Sequence, residues 1–441
     1  MHESLHQPIG LYVHVPFCVS KCAYCDFASY AGREADVPRY VDAVIGEIMR
    51  RGAEAGHPKA DTIFLGGGTP SLLDKVQVTR ILDALAEAFP IEQRAEATDR
   101  GPVSTCEGVR VDSRLSLRES SATFAERKAI IATEITCECN PGTLTSLFAQ
   151  ALRKAGVNRL SMGAQARQTR LLRLLGRIHD WQQVIASVEI AHDAGFDNIN
   201  LDLMLGLPTQ TVADLRETLE AAIALAPTHL SCYSLIVEEG TPIYRDIAAG
   251  KLALPHEDID RAMYELARQM LAEHGFQQYE LSNFAREGYA CRHNIGCWTR
   301  VPYLGFGSAA HSFFAECRTM NPSTLDAYLA GEAPTTEQIS KDKARFESMM
   351  LGLRMTRGVN DEDFTLMHGL SIREAFGEKL DKPIGGGLLE WHEGAFSSPG
   401  PTMNLSTAKK RLNHGSLVAS ESIRLTRLGM DLQNSVLVDL M

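Results

Sequence analysis

The chain has no apolar run near the roughly 20 residues that span a bilayer. Its first residues, Met1-His-Glu-Ser-Leu-His-Gln-Pro, show no charged-then-apolar leader pattern. It lacks a basic footprint: the formal net charge is −11. Binding carried mainly by nucleic-acid phosphates is therefore not expected, and no nucleic-acid partner is assigned. Cysteine is sparse, ten in 441 residues, which does not fit a small secreted disulfide scaffold. It fits a reducing, cytoplasmic compartment. Neither a G-x-G-x-x-G nor a G-x-x-x-x-G-K-[ST] phosphate-binding loop occurs. What is present, 44% hydrophobic and 22% charged residues, reads as a soluble globular protein. The length implies two or more domains.

Short β-rich apolar runs alternate with longer helical patterns. The runs are Leu11–Val15, Thr62–Leu65, Glu134–Glu138, Arg159–Gly163, Asn198–Leu205 and His229–Leu235. Helix-like stretches fall between them at Arg39–Ala55, Leu72–Ala88, Leu144–Ala155, Trp181–Ala194 and Val212–Ala226. Glycine stands just past the last apolar position at Ala155-Gly156 and Ala194-Gly195. Such repetition predicts a parallel sheet in an α/β fold, a partial or complete barrel over residues 1–240. Residues 91–132, polar and weakly periodic, interrupt it as an expected surface insertion. Helical patterns at Ile259–Glu273 and Lys343–Arg354 follow. The polar stretch Lys382–His414 reads as loop around a short helix, and Leu432–Leu440 as a final helix. The expected division is a barrel core, an extension over 241–330, and a smaller, mainly helical domain over 331–441.

Three cysteines share one loop after the first strand: Cys18-Val-Ser-Lys-Cys22-Ala-Tyr-Cys25. Thiolates hold iron–sulfur clusters, and a cubane usually takes four. Three ligands leave one iron open, and an open metal position is where chemistry happens. A closed zinc site completed by His14 is the alternative, although no second, distant cysteine pair of zinc-site spacing is present. The other cysteines read as buried apolar fillers. In an α/β barrel the site lies at the C-terminal ends of the strands. Residues suited to a site collect there: the cysteine loop, Gly66-Gly-Gly-Thr-Pro70, Glu138, Gln165, Asp202, Tyr233 and Glu238. A glycine run alone is weak evidence, but it allows close backbone approach to a ligand.

The C-x-x-x-C-x-x-C loop combined with GGGTP resembles the radical S-adenosylmethionine enzymes. Arg159-Leu-Ser-Met-Gly-Ala-Gln165, Leu175-Gly-Arg-Ile-His179, Asn200–Pro208 and Tyr303–His311 extend the resemblance to the coproporphyrinogen-oxidase-like branch, over about residues 10–380. The resemblance implies a (β/α)6-type partial barrel. It also implies a 4Fe–4S cluster on Cys18, Cys22 and Cys25, whose open iron binds S-adenosylmethionine and can cleave it with one electron. By the same resemblance, Tyr12 and the Gly67, Gly68 and Thr69 backbone line the cofactor site. Tyr24 stands beside the third cysteine, and Glu138 accepts hydrogen bonds from the cofactor. Gln165, Arg177 and Asp202 match positions around a second cofactor molecule. For Arg177 and Asp202 the bland alternative is an ion pair between barrel elements.

That branch holds two close groups, oxygen-independent coproporphyrinogen III oxidases and heme chaperones. The oxidases carry a fourth cysteine two residues after the third, where this chain has Phe27. They also have a longer segment before the cysteine loop. The chaperones carry H-N-x-x-Y-W, and this chain reads His293-Asn294-Ile-Gly-Cys297-Trp298. These features imply a heme chaperone with heme as ligand, an acceptor protein as partner, and an electron donor if the cofactor is cleaved. They imply a radical scaffold without the oxidase's propionate decarboxylation, which is the alternative function. Histidine and cysteine thiolate both ligate heme iron, so Cys297 in place of tyrosine leaves His293 as the expected ligand. The bland reading has His293 and Trp298 merely packing the barrel mouth.

Overall fold

The computed structural model describes residues 8–92, 132–393 and 421–441. Six parallel strands run in sequence order: β1 (Ile9–Val15), β2 (Ala60–Gly67), β3 (Glu134–Cys139), β4 (Arg159–Gln165), β5 (Ile199–Leu205) and β6 (His229–Ser234). Helices Val37–Glu54, Lys75–Ala88, Ser146–Lys154, Trp181–Asp193 and Val212–Ala224 connect them. Three of these start on capping boxes, at Asp74, Asp180 and Thr211, where the side chain accepts from the helix N3 amide. Gly156 follows Ser146–Lys154 and Gly195 follows Trp181–Asp193, with φ of +94° and +84°, a conformation costly for other residues.

The strand register explains the sequence pattern. Parallel partners share a face, and one face carries Leu11, Val13, Ile63, Leu65, Ile135, Cys137, Leu160, Met162, Leu201, Leu203 and Leu230. All are buried within one continuous core shared with the helices. The opposite face carries Tyr12, Phe64, Glu134, Glu138, Arg159, Ser161, Asn200, Asp202, His229 and Ser231. This is the concave interior of the partial barrel. Its polar groups are buried or half-buried, and most are held by hydrogen bonds: His229 Nδ1 lies 2.6 Å from Asn200 Oδ1, and the Asn200 amide nitrogen donates to Asp202 at 2.7 Å.

The sheet extends beyond the six strands on both sides. Beside β6 lies the antiparallel pair β7 (Gln277–Gln278) and β8 (Asn283–Ala285). On the other side β9 (Tyr303–Phe306) runs parallel to β1. It is followed by antiparallel β10 (His311–Phe314), β11 (Cys317–Met320) and β12 (Thr335–Gln338). The twelve-stranded order β12-β11-β10-β9-β1-β2-β3-β4-β5-β6-β8-β7 leaves β12 and β7 as edges. A second apolar cluster, including Met349, Leu353, Phe364, Phe376, Ile423 and Leu440, gathers short helices around a small antiparallel sheet. That sheet is β13 (Val359–Asn360), β14 (Leu389–Glu393) and β15 (Glu421–Leu425), with β15 central. Strand β14 falls where the sequence reads as loop. The expected insertion and much of the polar stretch near 400 lie outside the described residues, as does Cys106. Among the described residues, no helix is long and apolar enough to cross a membrane.

Candidate functional site

The cysteine loop leaves β1 and is tied back to the barrel at several points. Cys18 N donates to Tyr30 O at 3.0 Å and Ala23 N to Leu175 O at 2.9 Å. Ile243 N donates to Ala23 O at 2.9 Å. The thiols of Cys18, Cys22 and Cys25 are free and half-buried. Burial raises the Cys25 thiol above its ordinary pKa. Among the described residues, no three His, Cys, Asp or Glu side chains converge as one metal ion requires. In a cubane each thiolate binds its own iron, so its ligands stand further apart than those of a zinc ion. Three free thiols on one loop are of the ligand type that a cluster takes.

His14 is not available to complete a zinc site. Its Nε2 donates to the Ala28 carbonyl at 2.8 Å, so Nδ1 is the acceptor for the Tyr12 hydroxyl at 2.9 Å. His14 therefore fastens Tyr12 to the end of the cysteine loop.

The GGGTP run straddles the end of β2. Gly67 has φ of +107°, and a Cβ there would stand 2.3 Å from His14 Nδ1. A Cβ on Gly68 would stand 2.6 Å from Val15 O, to which the Gly68 amide donates at 2.8 Å. The glycines thus bring this backbone hard against the base of the cysteine loop. Glu138, half-buried at the end of β3, accepts from Gly67 N at 3.0 Å. Desolvation, followed by the charge of Asp202, pushes its carboxyl up to about 7. A cation placed there would draw it back to the charged form.

Gln165 ends β4 with φ of +62°, at a break in the β4–β5 register. A non-glycine residue rarely holds this conformation without a functional reason. The Tyr233 hydroxyl donates to its Oε1 at 3.2 Å. Arg177 is half-buried and committed elsewhere than Asp202. Its Nη1 donates to Cys22 Sγ at 3.6 Å, and its Nη2 to Asn140 Oδ1 and Gly163 O, both at 2.7 Å. Among the described residues there is no Arg177–Asp202 ion pair, so that reading is set aside. Tyr24 is buried beside Arg177, and burial raises its phenol pKa. Asn140 follows Glu138 by two residues and carries much of this geometry. In sequence it reads only as a turn, Asn-Pro at a strand end.

His293 lies on the short helix Arg292–Trp298, which is set against the barrel interior. Its amide and that of Arg292 donate to the Glu134 carboxylate, each at 3.1 Å. The imidazole stands 2.9 Å from Thr62 Oγ1 through Nδ1 and packs on Phe64, with ring centroids 5.2 Å apart. Among the described residues, no group hydrogen-bonds its Nε2. Burial and the Arg159 charge lower its pKa to about 4, so the ring is neutral and ligand-competent near pH 7. Trp298 faces elsewhere, with the Arg354 guanidinium 4.4 Å from its ring centroid.

A cavity of about 770 Å³, within the usual range for ligand sites, opens on the His293 side, and none of Cys18, Cys22, Cys25, Glu138 or Arg177 lines it. His293, Asn294 and Cys297 line one side, Tyr12 and Phe64 the barrel wall, and Phe27 with its neighbours in the cysteine loop the other side. Cys297 follows His293 by one helical turn and so shares its face. Tyr303, His311 and Met320 come from β9–β11, short strands that no sequence pattern announced.

Comparison with known proteins gives this arrangement a family. The Radical SAM superfamily model matches residues 12–222, and the HemN C-terminal domain model residues 339–398. The Escherichia coli heme chaperone HemW is 35% identical over 390 residues, covering 87% of this chain and 92% of its own. The chain belongs to the HemW family. The Bacillus subtilis HemW, also a heme chaperone by name, is 34% identical, covering 87% of this chain and 93% of its own. Among solved structures, the E. coli coproporphyrinogen III oxidase HemN, a radical SAM enzyme, superimposes with a TM-score of 0.73 at 21% identity. It covers 100% of this chain and 91% of that one. That likeness shows a shared fold. Within the HemW family, a radical SAM core implies a 4Fe–4S cluster and S-adenosylmethionine.

Proposed function

We propose that this HemW-family chain is a cytoplasmic heme chaperone that binds heme at His293 and passes it to an acceptor protein. The observation that carries this reading is the cavity. It puts a neutral, deeply set imidazole with a free Nε2 across from the cysteine loop, between the aromatic walls Tyr12, Phe64 and Tyr303. A planar apolar macrocycle with a ligand-seeking iron suits such a lining.

Cys18, Cys22 and Cys25 would hold the cluster, and the Gly67–Gly68–Thr69 backbone, Tyr12, Tyr24 and Glu138 would receive S-adenosylmethionine. When bound, that pair supplies one-electron chemistry. Glu138 would accept a hydrogen bond from the bound cofactor, while Gln165, Arg177 and Asp202 would position groups deeper in the barrel. The barrel core would span residues 1–240, the extension bearing the His293 helix 241–330, and the C-terminal domain 331–441.

The test is transfer. The anaerobically reconstituted protein is loaded with one equivalent of heme, separated from free heme, and mixed with apomyoglobin. The reading expects the Soret band to move from the loaded protein to that of myoglobin. Failure to retain heme, or anaerobic turnover of coproporphyrinogen III with S-adenosylmethionine, would replace it with the oxidase reading.

A further inference from the structure

The Asn140 side chain lies outside the heme-side cavity and hydrogen-bonds Thr69 and Arg177, not a cysteine, yet it bears on what two of the three loop cysteines receive. Its Oδ1 accepts from Arg177 Nη2 at 2.7 Å. A guanidinium has no acceptor, so this contact fixes which end of the amide faces Arg177. The amide nitrogen is then the group that meets Thr69 Oγ1, at 2.7 Å. A hydroxyl has one proton. With its oxygen accepting from Asn140, that proton is left for the other neighbour, Cys18 Sγ, at 3.6 Å. The same Arg177 donates through Nη1 to Cys22 Sγ at 3.6 Å, its other arm pinned by Asn140 and the Gly163 carbonyl. Asn140 is itself anchored, since its carbonyl accepts from Thr143 Oγ1 at 2.7 Å. Thr69 is buried, at 2% exposure, so water does not compete for its hydroxyl.

We propose that Asn140 is a positioning residue that directs one hydrogen bond onto each of two cluster-ligating sulfurs, Cys18 through Thr69 and Cys22 through Arg177, and so raises the cluster's reduction potential. Reduction adds negative charge to the cluster, and a donor aimed at a ligand sulfur stabilises that charge. A relay of this polarity favours the reduced form. The proposal rests on the assignment of Cys18, Cys22 and Cys25 as cluster ligands and is independent of heme.

The experiment is a redox titration of the anaerobically reconstituted full chain, read by the electron paramagnetic resonance signal of the reduced cluster. Wild type, Thr69→Val, Thr69→Ser and Asn140→Ala are compared at equal iron content. Thr69→Val keeps the shape and removes the donor. It should lower the one-electron reduction equilibrium constant about tenfold, ~59 mV. Thr69→Ser should restore the wild-type midpoint, and Asn140→Ala should lower it at least as far as Thr69→Val. Unchanged midpoints in Thr69→Val and Asn140→Ala would overturn the relay. If Asn140→Ala assembles no cluster, Thr69→Val alone decides. Wild-type protein that holds no iron would overturn the ligand assignment itself, a result distinct from a cluster whose midpoint ignores Thr69.

Discussion

Replacing Glu138 with glutamine tests the electrostatics of the barrel interior. Glutamine keeps the size and an oxygen for the Gly67 amide, which now meets the carboxylate at 3.0 Å. The carboxyl is desolvated and its pKa stands at about 7 instead of 4.5. A carboxyl pKa raised by folding means the native state binds its proton more tightly than the unfolded chain. Stability is therefore lost as pH rises from about 4.5 to about 7, and the full cost persists above. Two and a half units at roughly 1.4 kcal/mol each give about 3.5 kcal/mol. Asp202 raises the Glu138 pKa, and removing the Glu138 charge would ease ionisation of Asp202 in the same direction. In cofactor-free protein, urea unfolding of both forms is followed between pH 5 and pH 8.5 with a probe in the barrel. Because pH 5 already lies above 4.5, the variant should gain about 2.5 kcal/mol on wild type over that range. Any fixed cost of the amide cancels in the comparison. A stability difference that does not vary with pH would refute a charged, desolvated Glu138 and with it the reason to assign it to a cationic cofactor.

Gly67→Ala combines a φ of +107° with a Cβ 2.3 Å from His14 Nδ1, and should cost roughly 3 kcal/mol or more. Gly240→Ala, at φ of +87° with open space around it, should cost only about 1 kcal/mol, and thermal melting separates the two. Glu134→Ala removes the acceptor for the Arg292 and His293 amides. Urea unfolding should show a loss of roughly 2 kcal/mol, and heme affinity should fall with the displaced helix. Serine at Cys18, Cys22 or Cys25 should each abolish reconstituted iron. His14→Ala should retain it, because both His14 nitrogens are engaged elsewhere. Iron analysis with His14→Ala as empty as the cysteine variants would restore the zinc reading.

The six-strand core was legible because its strands are buried on one face by helices and on the other by the barrel interior. Leu11–Val15 or Asn198–Leu205 therefore announce themselves by apolar content, and the helices by capping residues and terminal glycines. Strands β7 to β12 were not legible. They are two to four residues long, too short to show a period, and β12, Thr335–Gln338, is exposed throughout. They nonetheless supply Tyr303, His311 and Met320 to the cavity wall. The cysteine loop was readable as a spacing motif. The role of Asn140 was not, because it depends on Thr69 and Arg177, 71 and 37 residues away in the chain. The Arg177–Asp202 pair failed for the same reason: sequence gives the charges but not which neighbour reaches the guanidinium first. Heme-side chemistry was readable only as a motif with one mismatch, Cys297. The structure places that thiol on the His293 face of one helix, lining the same cavity.

Heme titration under anaerobic conditions, with wild type, His293→Ala and Cys297→Ser compared by absorbance, tests the central claim most directly. Wild type should bind one heme with a shifted Soret band. Cys297→Ser should keep the wild-type band, and His293→Ala should lose it, with affinity falling at least tenfold. An unaltered Soret band and affinity in His293→Ala would contradict the claim that this imidazole, set between Thr62 and Phe64, is where the chain takes hold of heme iron.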